Sequence, residues 1–387
     1  MNAVHRIIWV FCVICVITTT AVPRVSARML EVGDGKPFQS IEQAVAAAKA
    51  GDEVVIHAKK DGSAYLRPVL LIRTPKLTIR AANAKKPVVL DGAGYDYSGR
   101  GSIPRAIIQF EPGADGCVVD GLTLINAANE SFNGAGVRIN QANNVTIRNC
   151  VIRNNEMGIM SNGEVAKKTG AGQVIEKCVI TQNGTEKHAG YNHNLYLGGF
   201  SVMVRECDIS KSLTGHNVKS RAHLNFIFHN KIYHSANREL DLVDEKENTA
   251  APGSDSYLIG NTIRKDPNCG GNRTVLHFGQ DGGAAHNGTV WLIENKIQTP
   301  FISPVVHVSS GNGVIFIKNT LEGQNGVLAK LEDVKMTAKS SDNQITGRFV
   351  VQTPGGEKAA SALEKAPAVP KEVTALLQKK NEPKSKK

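Results

Sequence analysis

Paired cysteines, aromatic rings and long apolar runs are all scarce in this chain, and each scarcity excludes something. Seven cysteines occur in 387 residues, and only Cys117, Cys150, Cys178, Cys207 and Cys269 lie beyond the N-terminal segment. An odd number with no close Cys-x-x-Cys pair argues against a disulfide framework and against a structural zinc site. Aromatic residues make up 5% of the chain, and its basic residues are interspersed with acids. Neither the stacking platform nor the basic stripe of a nucleic-acid binder is therefore expected. Apart from residues 7–17 the sequence has no apolar stretch that approaches a membrane span, and those residues are too few to cross a bilayer.

The two ends differ from the rest. His5 and Arg6 precede the apolar run, and Val25, Ser26 and Ala27 supply small residues at the cleavage-determining positions. Residues 1–27 thus read as a secretory signal peptide, which implies a secreted or periplasmic protein. From residue 352 onward Lys, Glu, Ala and Pro dominate, and 352–387 reads as a basic, largely disordered tail. The ends carry a good share of the net charge of +11, which leaves residues 28–351 only mildly basic.

What fills residues 28–351 is a repeat: an apolar, strand-like stretch, a Cys or Asn, one spacer and an aliphatic. It appears as residues 145–152 (VTIRNCVI), 174–180 (VIEKCVI), 202–209 (VMVRECDI) and 226–232 (FIFHNKI). Later copies are 257–263 (YLIGNTI), 291–297 (WLIENKI) and 315–321 (IFIKNTL). From a weaker copy ending at Leu124, the closing aliphatics are separated by 28, 28, 29, 23, 31, 34 and 24 residues. Each unit alternates apolar and polar residues with period two and is punctuated by Gly and Asn. No single unit can bury its apolar face, so the units must stack as coils of a solenoid. The column Cys150, Cys178, Cys207, Asn230, Asn261, Asn295, Asn319 suits an inward turn position, with small residues and then amides bonding from coil to coil. The fold class expected is all-β, a single-domain right-handed parallel β-helix. A short N-terminal capping helix is expected over residues 41–48, since Ser40 to Gln43 matches a capping box and Gly51 can end the helix.

Residues 33–44 (GDGKPFQSIEQA) and the stacked repeat resemble the pectin lyase-like superfamily over nearly the whole mature chain. Members of that superfamily generally bind substrate along an outer strand face, and many cleave uronic-acid polysaccharides by β-elimination.

Each coil carries a second strand, and aligning these gives an outward column: Gln109, Arg138, Met160, Tyr196, Lys219, Asp241, His277, His307. Two residues further along each strand the same face adds Asn140, Asn162 and Arg221. Two residues back it is expected to add Asn194, Asn217 and Glu239, with His193 and His216 at the rim. A solvated face with cross-strand ion pairs explains any one of these pairs. It explains less well the convergence of cations, carboxylates, His and Tyr in the middle coils. His229 and His234 read as turn residues, His307 as peripheral, and Arg238 as out of phase with the column.

β-Elimination needs a base for the proton beside the sugar carboxylate and positive charge to hold that carboxylate. Lys219 beside Arg221 is the expected base, and Arg221 with Arg138 the expected carboxylate clamp. Tyr196, His193 or His216 is expected to protonate the leaving oxygen, with Asn194, Asn217 and His277 binding substrate. Glu239 and Asp241 are hard oxygen ligands suited to Ca2+. The chondroitinase B and alginate lyase family is similar in its Lys base and its acidic calcium ligands. It carries an Arg one coil after the Lys, where this chain has Asp241. The reading is thus a monomeric polysaccharide lyase acting on an acidic polysaccharide. The alternatives are a glycoside hydrolase using Glu239 and Asp241, an epimerase, and a non-catalytic glycan-binding surface protein.

Overall fold

The computed structural model describes residues 27–281 and 284–378. Residues 1–26 of the expected leader, and residues 379–387, lie outside the described residues. Each coil contributes short strands to three parallel columns. The first runs from Met29–Val32 and Glu53–Ile56 through Thr146–Arg148 to Gly313–Ile317. The second runs from Val88–Asp91 through Val151–Arg153 to Lys296–Gln298. The third carries the site and runs from Leu70–Ile72 through Ala135–Asn140 and Val218–Phe228 to Val306–Val308. The solenoid winds right-handed, the hand that parallel strand connections favour. Among the described residues no helix is long and apolar enough to cross a membrane.

Period-two alternation explains the core. Val137, Ile139, Val218, Leu240, Leu242, Leu276 and Phe278 all point inward and are at most 1% exposed. The corner after the first column needs a residue in the left-handed region, and Lys177, Glu206, His229, Glu294 and Lys318 occupy it with φ between 53° and 56°. That turn aims the next side chain inward, where the repeat places its Cys or Asn. Asn230 donates through its backbone N–H (2.9 Å) and its Nδ2 (3.0 Å) to Oδ1 of Asn261. Asn261 does the same to Asn295, and Asn295 to Asn319. Each amide thereby satisfies a backbone donor that the corner would strand. His229 and His234 are corner residues with positive φ, in keeping with their turn-like sequence context.

The helix near the N-terminus spans Ile41–Ala47, with Ser40 Oγ accepting from the Gln43 N–H at 3.3 Å and Ile41 and Ala44 buried. At the other end, the expectation of a largely disordered tail does not hold for residues 352–378. Gln344–Thr353 turns back as an antiparallel pair with Gly356–Ala359, and Glu364–Lys365 pairs with Thr337–Ser341. The helix Lys371–Gln378 then lays Val373 on an outer apolar stripe that includes Phe228, Tyr257, Trp291 and Ile315. Composition misses this because the segment's apolar residues are few and divided: Ala360 and Leu363 pack on the main core, and Ala366, Val369, Val373 and Leu376 on the outer stripe.

Candidate functional site

The third strand column brings the outward residues together in the register that period-two alternation implies. Arg138 pairs with Gln109 and Met160, Met160 with Tyr196, Tyr196 with Lys219, Lys219 with Asp241, Asp241 with His277, and His277 with His307. Neighbouring strands about 4.8 Å apart put these side chains within reach of one another.

Asp241 is the hub. Its side chain is 3% exposed, and four donors surround it. Oδ1 lies 3.0 Å from Nδ1 of His277 and 2.9 Å from the Arg238 guanidinium. Oδ2 lies 3.2 Å from Nε2 of His216 and 3.5 Å from Nζ of Lys219. Burial works to raise the Asp241 carboxyl, but the donors from His216 and His277 outweigh it and hold the group well below the usual carboxylate range. His277 also faces Oγ of Ser309 through Nε2 at 2.9 Å, so the carboxylate, imidazole and hydroxyl form one chain.

Lys219 and Arg221 meet a second acid. Oδ2 of Asp281 accepts from Lys219 Nζ at 2.8 Å and from the Arg221 guanidinium at 2.7 Å. Arg221 also donates to Oε2 of Glu245 at 3.0 Å. Tyr196 lies under both cations, its ring centroid 5.8 Å from Lys219 Nζ and 5.5 Å from the Arg221 guanidinium carbon. The Tyr196 hydroxyl has no hydrogen-bond partner among the described residues. Tyr196 lines an open cavity of about 360 Å³ together with Arg138, Met160, Arg221, Glu164 and Glu245. Arg138 enters this cavity without an ion pair among the described residues; burial, with Arg105 nearby, lowers its pKa.

His193 and His216 are buried beneath the face, their rings stacked at 5.0 Å and 7°. Nδ1 of His193 accepts the His216 backbone N–H at 3.0 Å. Burial lowers both imidazoles, His193 the more strongly, while Asp241 partly offsets the effect at His216. Neither ring lines the cavity; His216 lies against Asp241, and His193 stacks on His216.

Three other expectations need correction. Asn194, Asn217 and Glu239 do not lie on the outer face; each is fully buried. The strands begin only at Leu195, Val218 and Leu240, so the preceding residue sits in a corner where alternation no longer applies. These residues form an inner ladder: Asn194 Nδ2 donates to Asn217 Oδ1 at 2.8 Å, and Asn217 Nδ2 to Glu239 Oε2 at 2.6 Å. Glu239 ends the ladder 3.7 Å from the fully buried Lys265. Nor do Glu239 and Asp241 fit Ca2+. The Glu239 carboxylate faces away from the groove, and both Asp241 oxygens are committed to cationic or N–H donors that would repel the ion. Arg238, out of phase by counting, folds back onto Asp241 because it precedes the strand.

Asp281, Glu245 and Ser309 belong to the constellation and were not singled out from sequence. Asp281 and Glu245 come from irregular loops with no periodic signal. Ser309 alone was legible, two residues beyond His307 on the same strand parity.

No protein-family model matches the chain, and no curated protein matches it. Solved structures do. The Streptococcus pneumoniae surface adhesin PfbA aligns with a TM-score of 0.51 at 14% identity, covering 85% of this chain and 100% of that one. An alginate lyase from Paenibacillus aligns at 0.48 and 16%, covering 84% and 98%. Pectate lyase Pel9A aligns at 0.48 and 12%, covering 88% and 78%. Likeness at these identities speaks to architecture and not to reaction. The chain carries a right-handed parallel β-helix, a fold it shares with that adhesin.

Proposed function

We propose that this chain is a secreted polysaccharide lyase that cleaves an acidic, uronic-acid polysaccharide by β-elimination in the groove of the third strand column. One observation carries the reading: Lys219 and Arg221 converge on a single carboxylate oxygen, that of Asp281, at 2.8 and 2.7 Å. A pair that cradles an internal carboxylate on an open face is built to cradle the carboxylate of a uronate. In this proposal the substrate carboxylate takes the place of Asp281 at Arg221 and spreads its developing negative charge toward the guanidinium. Lys219 removes the proton on the carbon beside that carboxylate. The pair of electrons left behind forms the new double bond and expels the glycosidic oxygen, to which the Tyr196 hydroxyl gives a proton. Asp241, fixed by His216, His277 and Arg238, holds Lys219 in place and is a positioning residue. The leader at residues 1–27 and the lid-like placing of helix Ile41–Ala47 on the first coil belong to the same proposal.

A two-carboxylate hydrolase finds less support, because it needs both acids beside the scissile bond and Glu239 is buried on the far side of the strand start. The test is ultraviolet absorbance of unsaturated uronide ends over a panel of acidic polysaccharides. A rise that falls by roughly 10²–10⁴ in Lys219→Ala supports the proposal. Retention on a glycan column with no cleavage of any polymer would convert it to the binding-protein reading.

A further inference from the structure

Several arginines of this solenoid have acids opposite them. Arg80 pairs with Glu53, Arg148 with Asp120 and Arg205 with Glu176, each about one coil away. One cavity instead gathers three arginines that have no ion pair among the described residues. It measures about 380 Å³, lies on the outer face of the third strand column, and is lined by Arg73, Arg105 and Arg138. Arg73 and Arg138 have no ion pair or hydrogen bond among the described residues, and the Arg105 guanidinium reaches only the Ser98 carbonyl, at 3.4 Å. The single acid in the lining, Glu111, is occupied by the side-chain amides of Gln109 and Asn140. Three guanidiniums thus share one cavity with one already-engaged carboxylate. Three positive charges against one negative leave the cavity net positive, and an anion entering it relieves the repulsion among the guanidiniums.

We propose that Arg73, Arg105 and Arg138 form a second anion subsite that takes a carboxylate or sulfate of an acidic glycan, so that the groove reads a polyanion at two points. Arg138 lines both this cavity and the one containing Tyr196 and Arg221, which makes the two a continuous groove. The register from Arg138 through Met160 and Tyr196 to Lys219 is three strand steps. At about 4.8 Å per step the two anion sites stand about 14 Å apart. That separation selects an oligosaccharide with charges several residues apart over a mono- or disaccharide. The guanidinium fork accepts carboxylate and sulfate alike, so the probes must separate them. The inference rests on the reading of this face as an acidic-glycan groove, and the experiment is arranged so that the two can fail separately.

The full chain is titrated calorimetrically with a galacturonate disaccharide, a galacturonate hexasaccharide and a carrageenan hexasaccharide, which carries sulfate and no uronate. Wild type is compared with Arg73→Gln/Arg105→Gln, whose residues line the second cavity and not the first, and with Lys85→Gln/Lys86→Gln, which removes the same charge from an exposed loop. Thermal melting establishes that both variants fold. The expected result is hexasaccharide binding at least about tenfold weaker in the arginine variant, with a shallower salt dependence. Disaccharide binding stays within about twofold in the same variant, and the lysine variant changes neither. Unchanged hexasaccharide binding in the arginine variant, or an equal loss for the disaccharide, overturns the subsite and leaves the lyase proposal standing. Binding of the carrageenan hexasaccharide alone, lost in the arginine variant, keeps the subsite as a sulfate reader and overturns the uronate reading. A wild type that binds none of the three overturns both.

Discussion

Asp281 and Arg221 are sixty residues apart in sequence, yet the carboxylate of one accepts from the guanidinium of the other at 2.7 Å. The loop that delivers Asp281 is anchored by a buried acid beside it. Asp244 accepts the Gln280 N–H at 2.8 Å, faces Nδ1 of His286 at 3.1 Å and accepts from Ser310 Oγ at 2.9 Å. Asp281 therefore sits over Lys219 and Arg221 as an internal occupant of the carboxylate cradle.

Removing that occupant should help a substrate carboxylate enter. Asp281→Asn is expected to tighten binding of a galacturonate hexasaccharide about three- to tenfold, the scale of a partly screened ion pair. Calorimetric titration checks this. Weaker binding in the variant would mean that Asp281 orients the cradle and does not occupy it.

Asp241 should be the most sensitive acid of the site. Asp241→Asn leaves His216, His277, Arg238 and Lys219 facing a neutral amide, and loss of one partner of a buried charged cluster costs about 3–5 kcal/mol. Urea denaturation measures it. The sign of the pH dependence follows from the depressed carboxyl: its contribution is present above the ordinary aspartate value of 3.8 and is lost as pH falls toward the lower folded value. Wild type should lose stability steeply below about pH 4, and Asp241→Asn should lack that component.

How much of this could be read from the chain alone divides along one physical line. Strand register follows from period-two alternation and repeat spacing, and every step from Gln109 to His307 was legible that way. The Asn230, Asn261, Asn295 ladder was legible for the same reason, since an aligned polar residue inside a solenoid needs a stacked partner. Corners and loops carry no period. Counting back through a corner put Asn194, Asn217 and Glu239 on the wrong side, and Arg238 was dismissed although its side chain folds onto Asp241. Asp281 and Glu245 were invisible because only the tertiary path of two irregular loops places them. The strap from residues 352 to 378 was misjudged because its partner stripe lies on an outer face, where Phe228, Tyr257 and Trp291 look unexceptional singly.

Glu239 and Lys265 allow a test of the inner ladder. Burial pushes the Glu239 carboxyl up to about 7 against the opposing pull of Lys265. A raised folded value means that its contribution is fully present below the ordinary 4.5 and is lost as pH rises through about 7. The stability difference between wild type and Glu239→Gln should therefore shrink between pH 5 and pH 8, followed by urea midpoints. Lys265→Met alone should cost about 3–5 kcal/mol by stranding the acid, and Glu239→Gln/Lys265→Met should recover most of that loss.

The buried ladder from Asn230 to Asn319 should be costlier to cut than the cysteines that continue it. Asn261→Ala strands the Asn230 N–H and amide and the Ile227 carbonyl, at about 1–3 kcal/mol for each stranded group. Cys178→Ala removes one small buried side chain and should cost only about 1 kcal/mol. Thermal melting of the two variants side by side decides it, and equal losses would contradict the ladder's role.

The central claim, elimination driven from Lys219 and Arg221, is tested most directly by the mass of the products. A galacturonate hexasaccharide, or whichever acidic oligomer of the panel is cleaved, is digested to completion and the fragments are weighed. The account predicts that each cleavage yields one fragment lighter by one water than its hydrolytic counterpart, and that these fragments vanish in Lys219→Ala. Fragments that all carry the added water would contradict it and assign the groove to hydrolysis.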